Sequence, residues 1–219
     1  VRRGLCSTGF VALLAVGAAS AAHAQDMEPR SYSNAPVGLN FLVAGYAYTR
    51  GGLAFDGALP VTDPRLNMSS AVLAYGRVLE VWGQSAKLNV AVPLSSLTGT
   101  VDYAGQPIQR DVTGLGDPLV KLSVNLMGAP ALSLKEFAAY EQDLIVGASL
   151  RVTAPLGNYD NSRLVNLGTN RWSFKPEVGV SKALGRWTFE AVAAITLYTD
   201  NDDFFNGSTR SQDPLYSVA

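Results

Sequence analysis

Cysteine and histidine are almost missing from this chain, which has one of each in 219 residues, and charged residues make up only 16%. Both rare residues fall near the N-terminus, where Arg2 and Arg3 precede an apolar stretch from Gly9 to Ala19 that ends in Ala22-His23-Ala24. That order is the pattern of a cleaved signal peptide, predicted over 1–24, with the mature chain starting at Gln25. Cys6 lies before the apolar stretch rather than after it, so a lipid-modified cysteine is not expected. Cys6 and His23 are both expected to leave with the signal. Disulfides, thiolate or imidazole metal sites and any Ser-His-Asp or Cys-His arrangement leave with them. No catalytic residue, metal ligand or cofactor site is assigned, and the chain is not expected to be an enzyme.

Long apolar runs are also lacking. The signal stretch is too short to span a bilayer comfortably, and beyond it no run approaches the roughly 20 apolar residues of a transmembrane helix. Without Arg2 and Arg3 the 17 basic residues fall to 15 against 18 acidic ones, a net charge of −3. The basic residues form no cluster, so no nucleic-acid partner is expected. With 47% hydrophobic residues the chain is nonetheless too apolar to be disordered.

What is present is alternation with a period of two. In 186–199, Trp187, Phe189, Ala191, Ala193, Ile195 and Leu197 oppose Thr188, Glu190, Thr196 and Tyr198. In 172–182, Trp172, Phe174, Val178 and Val180 oppose Ser173, Lys175, Glu177, Gly179 and Ser181. Residues 144–154 set Leu144, Val146, Ala148, Leu150 and Val152 against Gly147, Ser149, Arg151 and Thr153. Val120, Leu122, Val124 and Leu126 likewise oppose Lys121, Ser123 and Asn125, and Leu88, Val90 and Val92 oppose Lys87, Asn89 and Ala91. Strands over 37–48 and 71–82 have blurrier faces, and Arg77, between Tyr75 and Leu79, leaves the second without an assigned orientation. These are seven strands, with 214–219 starting an eighth.

Two architectures satisfy such a pattern: a soluble sandwich or barrel with its apolar face inward, or a transmembrane barrel with that face toward lipid. Strands of about 10–13 residues exceed the usual soluble length and suit an oblique bilayer crossing. The connections alternate, long at 49–68, 96–113, 155–171 and 200–213, short at 83–85 and 183–185, intermediate at 128–141. Trp82 and Trp187 sit beside short turns, and Tyr48, Trp172 and Tyr198 beside long loops, as two aromatic girdles would. The expected fold is therefore all-β, a transmembrane antiparallel up-and-down barrel in the outer membrane of a Gram-negative bacterium. Residues 25–36 form a periplasmic N-terminal segment and 37–219 the barrel domain, with the long loops outside. Such a barrel implies lipid and the barrel-assembly machinery as partners.

The polar faces supply Lys87, Asn89, Lys121, Asn125, Arg151, Lys175, Glu177 and Glu190 as lumen-facing candidates. Mixed charges of this kind either line a path for solute or fill the lumen with ion pairs. Glu177 and Glu190, on neighbouring strands, are the one carboxylate pair to weigh for acid/base work, though Lys175 and Arg151 neutralise them more simply. The acidic run Asp200-Asn201-Asp202-Asp203 departs from the EF-hand template and reads as a solvated loop. Asn206-Gly207-Ser208 reads as a loop turn rather than as a glycosylation site. Ser133 and Glu136 form a capping box that predicts one short amphipathic helix, with Leu134, Phe137 and Tyr140 at helical spacing, bracing the barrel rim or docking a partner.

The segment from Tyr32 to Phe41, Tyr-Ser-Asn-Ala-Pro-Val-Gly-Leu-Asn-Phe, followed by Gly45-Tyr46, resembles the opening of the MetA-pathway of phenol degradation family. Gly114 to Pro118, Ala154 to Asp160, Asn166 to Trp172, Gly185 to Trp187 and Thr199 to Phe204 resemble its later segments. The resemblance implies an outer-membrane barrel of transporter type and passive uptake of small hydrophobic or aromatic compounds. A structural or surface-binding barrel without an open pore is the alternative. Family members continue through further hairpins, which implies that this chain is C-terminally truncated, with seven to eight strands present.

Overall fold

The structure is a computed structural model that describes residues 28, 30–51, 61–103 and 106–219. The expected signal peptide, with Cys6 and His23, lies outside the described residues, as does part of the 49–68 connection. Among the described residues there are eleven strands: β1 Asn40–Gly51, β2 Val61–Val81, β3 Gln84–Tyr103, β4 Gln106–Leu115, β5 Leu119–Met127, β6 Leu144–Thr153, β7 Ser173–Leu184, β8 Trp187–Tyr198, β9 Asn201–Phe204, β10 Ser208–Arg210 and β11 Leu215–Val218. Every pairing is antiparallel and the main sheet runs β1-β2-β3-β5-β6-β7-β8-β11. The eight members of that path are the seven expected strands and the eighth begun at 214.

Three connections, 49–68, 96–113 and 200–213, differ from expectation, and in the first of them β2 already begins at Val61. The 96–113 stretch is a hairpin rather than a loop: β3 continues to Tyr103 and β4 folds back along its second half, from Leu94↔Leu115 to Tyr103↔Gln106. β5 then pairs with the first half of β3, from Ala86↔Val124 to Ala91↔Leu119. β4 and β5 thus lie one after the other along the same side of β3, separated by Gly116-Asp117-Pro118. β2 matches the length of β3, so the β2–β3–β4 wall stands taller than the rest of the sheet. The 200–213 connection contains the small β9–β10 ribbon.

The turns follow local backbone chemistry. Trp82 and Gly83, both at positive φ, join β2 to β3 in the two-residue connection that such a pair favours. The helix α1, Leu134–Phe137, carries the anticipated capping box: the Ser133 hydroxyl accepts from the Glu136 amide, and the Glu136 carboxylate accepts from the Ser133 amide at 2.9 Å.

Burial shows the sheet inside out relative to a soluble protein. On β5, β6 and β7 the alternate residues Lys121, Ser123, Asn125, Ser149, Lys175, Glu177 and Ser181 are buried, while Val120, Leu122, Leu126, Leu150, Phe174, Val178 and Val180 are exposed. The polar face is also concave. Arg30 donates its backbone N–H to Glu190 on β8, and the carbonyl of the next residue, Ser31, accepts from Lys87 on β3. β3 and β8 are four strand intervals apart, about 19 Å on a flat sheet. Neighbouring residues reach both only because the sheet curls around them. Arg77 is exposed, and its place between buried Gly76 and Val78 puts it on the outer face, its Cα partnered with Asn40 near the short-turn end.

Candidate functional site

All eight lumen-facing candidates fall on the concave face. The register sets Asn89 beside Lys121, Lys121 beside Arg151 and Arg151 beside Lys175 at one level, with Lys87, Ser123, Ser149 and Glu177 at the next. Cations crowded in this way must be neutralised, since a buried charge costs several kcal/mol unless paired. Glu177 is central to it. Its Oε1 lies 2.9 Å from Lys121 Nζ and accepts from Ser149 Oγ at 2.7 Å, while Oε2 lies 3.6 Å from Lys175 Nζ.

Further counter-charge comes from a segment that lies apart from the alternating pattern. Glu28 places Oε2 3.3 Å from Lys121 and Oε1 3.1 Å from Arg151. Ser31 Oγ accepts from Lys121 at 3.0 Å, and Ser33 Oγ accepts from Lys87 at 3.3 Å. Tyr32 is only 2% exposed. Its ring lies flat against Gly147 and Gly179, which face each other on β6 and β7; a Cβ at either would stand 2.2 or 2.3 Å from the ring. Burial raises the phenol's pKa, and the hydroxyl shares a 3.4 Å contact with Ser149 Oγ. Toward the rim, the Asn34 carboxamide donates to the Pro130 carbonyl and the Val37 amide to the Leu132 carbonyl. Glu28 and residues 30–36 therefore lie along the lumen wall as far as the short-turn rim, where the chain passes into β1. The sequence offers only an indirect signal for this, a short polar stretch with one tyrosine.

Asn125 is buried and bonds Ser85 Oγ at 2.9 Å. Glu177 and Glu190 do not form a carboxylate pair, because Glu177 faces Ala194 and Glu190 faces Ser181, at different levels of the β7–β8 ladder. Of the girdle candidates, Trp82, Trp187, Tyr48 and Trp172 are exposed. Tyr198 is placed differently: it pairs with Ser173 and has the parity of buried Thr196, so its ring turns inward, with the Arg171 guanidinium 4.5 Å above it.

At the long-loop end the described loops are tied to one another and to the tall wall. Asp117 ties them together, Oδ1 accepting from the Gly157 amide at 2.9 Å and Oδ2 from the Thr169 amide and hydroxyl at 2.7 Å each. Leu164 and Val165 pack with Leu66 and Leu97 of the tall wall, flanked by Phe204 and Phe205. The acidic run is part of this: Asn201 is buried and bonded to Asn170, and Asp203 accepts from Asn161. The Ser162 hydroxyl and amide hold the Asp160 carboxyl below its ordinary pKa.

Known proteins give two likenesses. The profile of a family described as "Putative MetA-pathway of phenol degradation" matches residues 37–219. Among solved structures, the chain is similar to an outer membrane channel from Pseudomonas putida F1, with 24% identity and a TM-score of 0.66 over 88% of this chain and 68% of that one. No curated protein matches the chain.

Proposed function

Since the chain belongs to the MetA-pathway of phenol degradation family, we propose that it is an outer-membrane channel for the passive uptake of small hydrophobic or aromatic compounds. One observation carries this reading: the face that is apolar is the exposed one, and the face that is charged is buried and concave. In water so large an apolar surface would drive aggregation, whereas in a bilayer it is the required exterior. The exposed aromatics at both strand ends suit two membrane interfaces. The fold it shares with an outer membrane channel supports the same reading. Export through a cleaved signal peptide and insertion by the barrel-assembly machinery complete the proposal, with the short turns periplasmic and the long loops outside. Transport of this kind uses a shaped lumen and no bond chemistry.

A second reading is a closed barrel with a structural or surface-binding role, and it is favoured by Tyr32 and its neighbours lying within the lumen. Planar-bilayer conductance of the full-length refolded protein separates the two. Discrete steps that phenol or toluene alters are expected of the channel. A correctly folded protein that stays silent overturns the open pore and leaves the closed barrel.

A further inference from the structure

The concave face is not uniform. Among the described residues its charges lie at Glu80 on β2 near the short-turn rim, on β3, at Arg110 on β4 and on β5 to β8, where Glu28 and residues 30–36 cover several of them. The inner-face positions 41 to 47 of β1 and 66 to 78 of β2 carry none: Phe41, Val43, Gly45 and Ala47 on one strand face Gly76, Ala74, Val72 and Ser70 on the other. This uncharged wall continues upward through Met68 into the Leu66, Leu97, Leu164 and Val165 cluster at the long-loop end. Below that cluster lies a cavity of about 440 Å³ lined by Met68, Val72, Pro93 and Leu167, with the Ser70 and Ser95 hydroxyls, 2.9 Å apart, on its wall. The ionisable group at its margin, Asp117, already accepts three hydrogen bonds from the loops.

We propose that this cavity is a binding site for an uncharged single-ring compound with one hydroxyl group, a phenol, on a path that follows the β1–β2 wall. The volume accommodates one such ring. The apolar lining gains from its burial, and a charged ring would lose hydration with no opposite charge to meet. When one serine donates to the other, the pair keeps lone pairs for the phenolic O–H, which fixes the ring's orientation. The site deepens the channel reading and rests on it for its biological meaning, while the binding itself is measurable without flux.

The test uses the full-length protein refolded in detergent, with binding of phenol, toluene and benzoate followed by ligand-observed NMR. Phenol is expected to saturate, toluene to bind about tenfold more weakly for want of one hydrogen bond, and benzoate not to bind. Ser70→Ala with Ser95→Ala should bring phenol down to the level of toluene. Val72→Asp should abolish both, and Ser96→Ala, on the opposite face, should change nothing. Phenol binding that does not saturate, or that ignores Val72→Asp and the serine pair alike, overturns the site. Flux of a small neutral sugar into proteoliposomes is read in parallel. Sugar flux without the phenol site leaves the channel standing and the inference overturned, whereas phenol binding without flux overturns the channel and keeps the site.

Discussion

Lys121 and Glu177 meet at 2.9 Å although they stand on β5 and β7, with β6 between them. The contact is made over Ser149, whose small side chain lets the lysine lean across and whose hydroxyl bonds the same carboxylate oxygen. Removing the carboxylate alone leaves Lys121 and Lys175 close together without their shared counter-charge. Glu177→Gln should therefore destabilise the barrel by about 3 kcal/mol, the lower end of the range for breaking a buried pair. Urea unfolding in detergent reads this, and adding Lys121→Met should recover part of the loss. An unchanged midpoint would show that lumen water screens the pair.

Tyr32 depends on two glycines in the same way. Gly147→Ala or Gly179→Ala puts a methyl group inside the space of its ring. Each should cost about 1–3 kcal/mol as an overpacking substitution. The loss should shrink in the Tyr32→Ala background, where the ring is gone, and additive losses would refute the seating. Conductance should rise in the glycine variants if the segment narrows the pore.

The alternation of β5 to β8 is legible in sequence because each face of those strands meets a single medium along its whole length. The upper parts of β2 and β3 and all of β4 stand beyond that region. There Ser96, Thr98, Thr100, Gln109, Asp111 and Thr113 make the outward face polar while Leu97, Ile108 and Val112 turn inward to the loops, the reverse of β5 to β8, and the stretch reads as a loop. The lumen segment is illegible for another reason. Tyr32 and Glu28 are held by residues about 90 to 150 positions away, contacts that no local period encodes. Tyr198 shows the limit of reading aromatics by position alone, since its parity, not its place at a strand end, turns it toward Arg171.

Lys175 offers a selectivity test. Its ammonium adds to a lumen wall already carrying Lys87, Lys121 and Arg151, so Lys175→Ala should move the zero-current potential in a KCl gradient toward cation preference. Lys182→Ala should leave it nearly unchanged, because Lys182 pairs with Asp143 at the short-turn rim. Equal shifts from both would place the selectivity at the rim.

The capping box of α1 predicts a titration. Hydrogen bonds from the Ser133 hydroxyl and amide hold the Glu136 carboxyl below its ordinary pKa. With the folded value depressed, the cap's contribution is complete above the ordinary glutamate range and is lost as the pH falls through the lowered value. The Ser133 amide resonance should shift over that window, and in Glu136→Gln, which keeps the acceptor without the charge, it should not. A wild-type midpoint at the ordinary glutamate value would refute the cap.

Asp117 gives the sharpest test of the long-loop end, because a single side chain serves both limbs of the 154–172 connection. Asp117→Asn leaves one oxygen for three donors, and its amide nitrogen faces N–H groups it cannot accept from. Losing hydrogen bonds to a charged acceptor costs about 1.5–3 kcal/mol each. The Gly157 or the Thr169 amide should therefore exchange with solvent at least tenfold faster, depending on which way the new amide turns, while exchange on β6 and β7 stays unchanged. If both loop amides keep their protection, Leu164 and Val165 packed on the tall wall hold the loop without the carboxylate. Substituting those two side chains would then be what frees the loop.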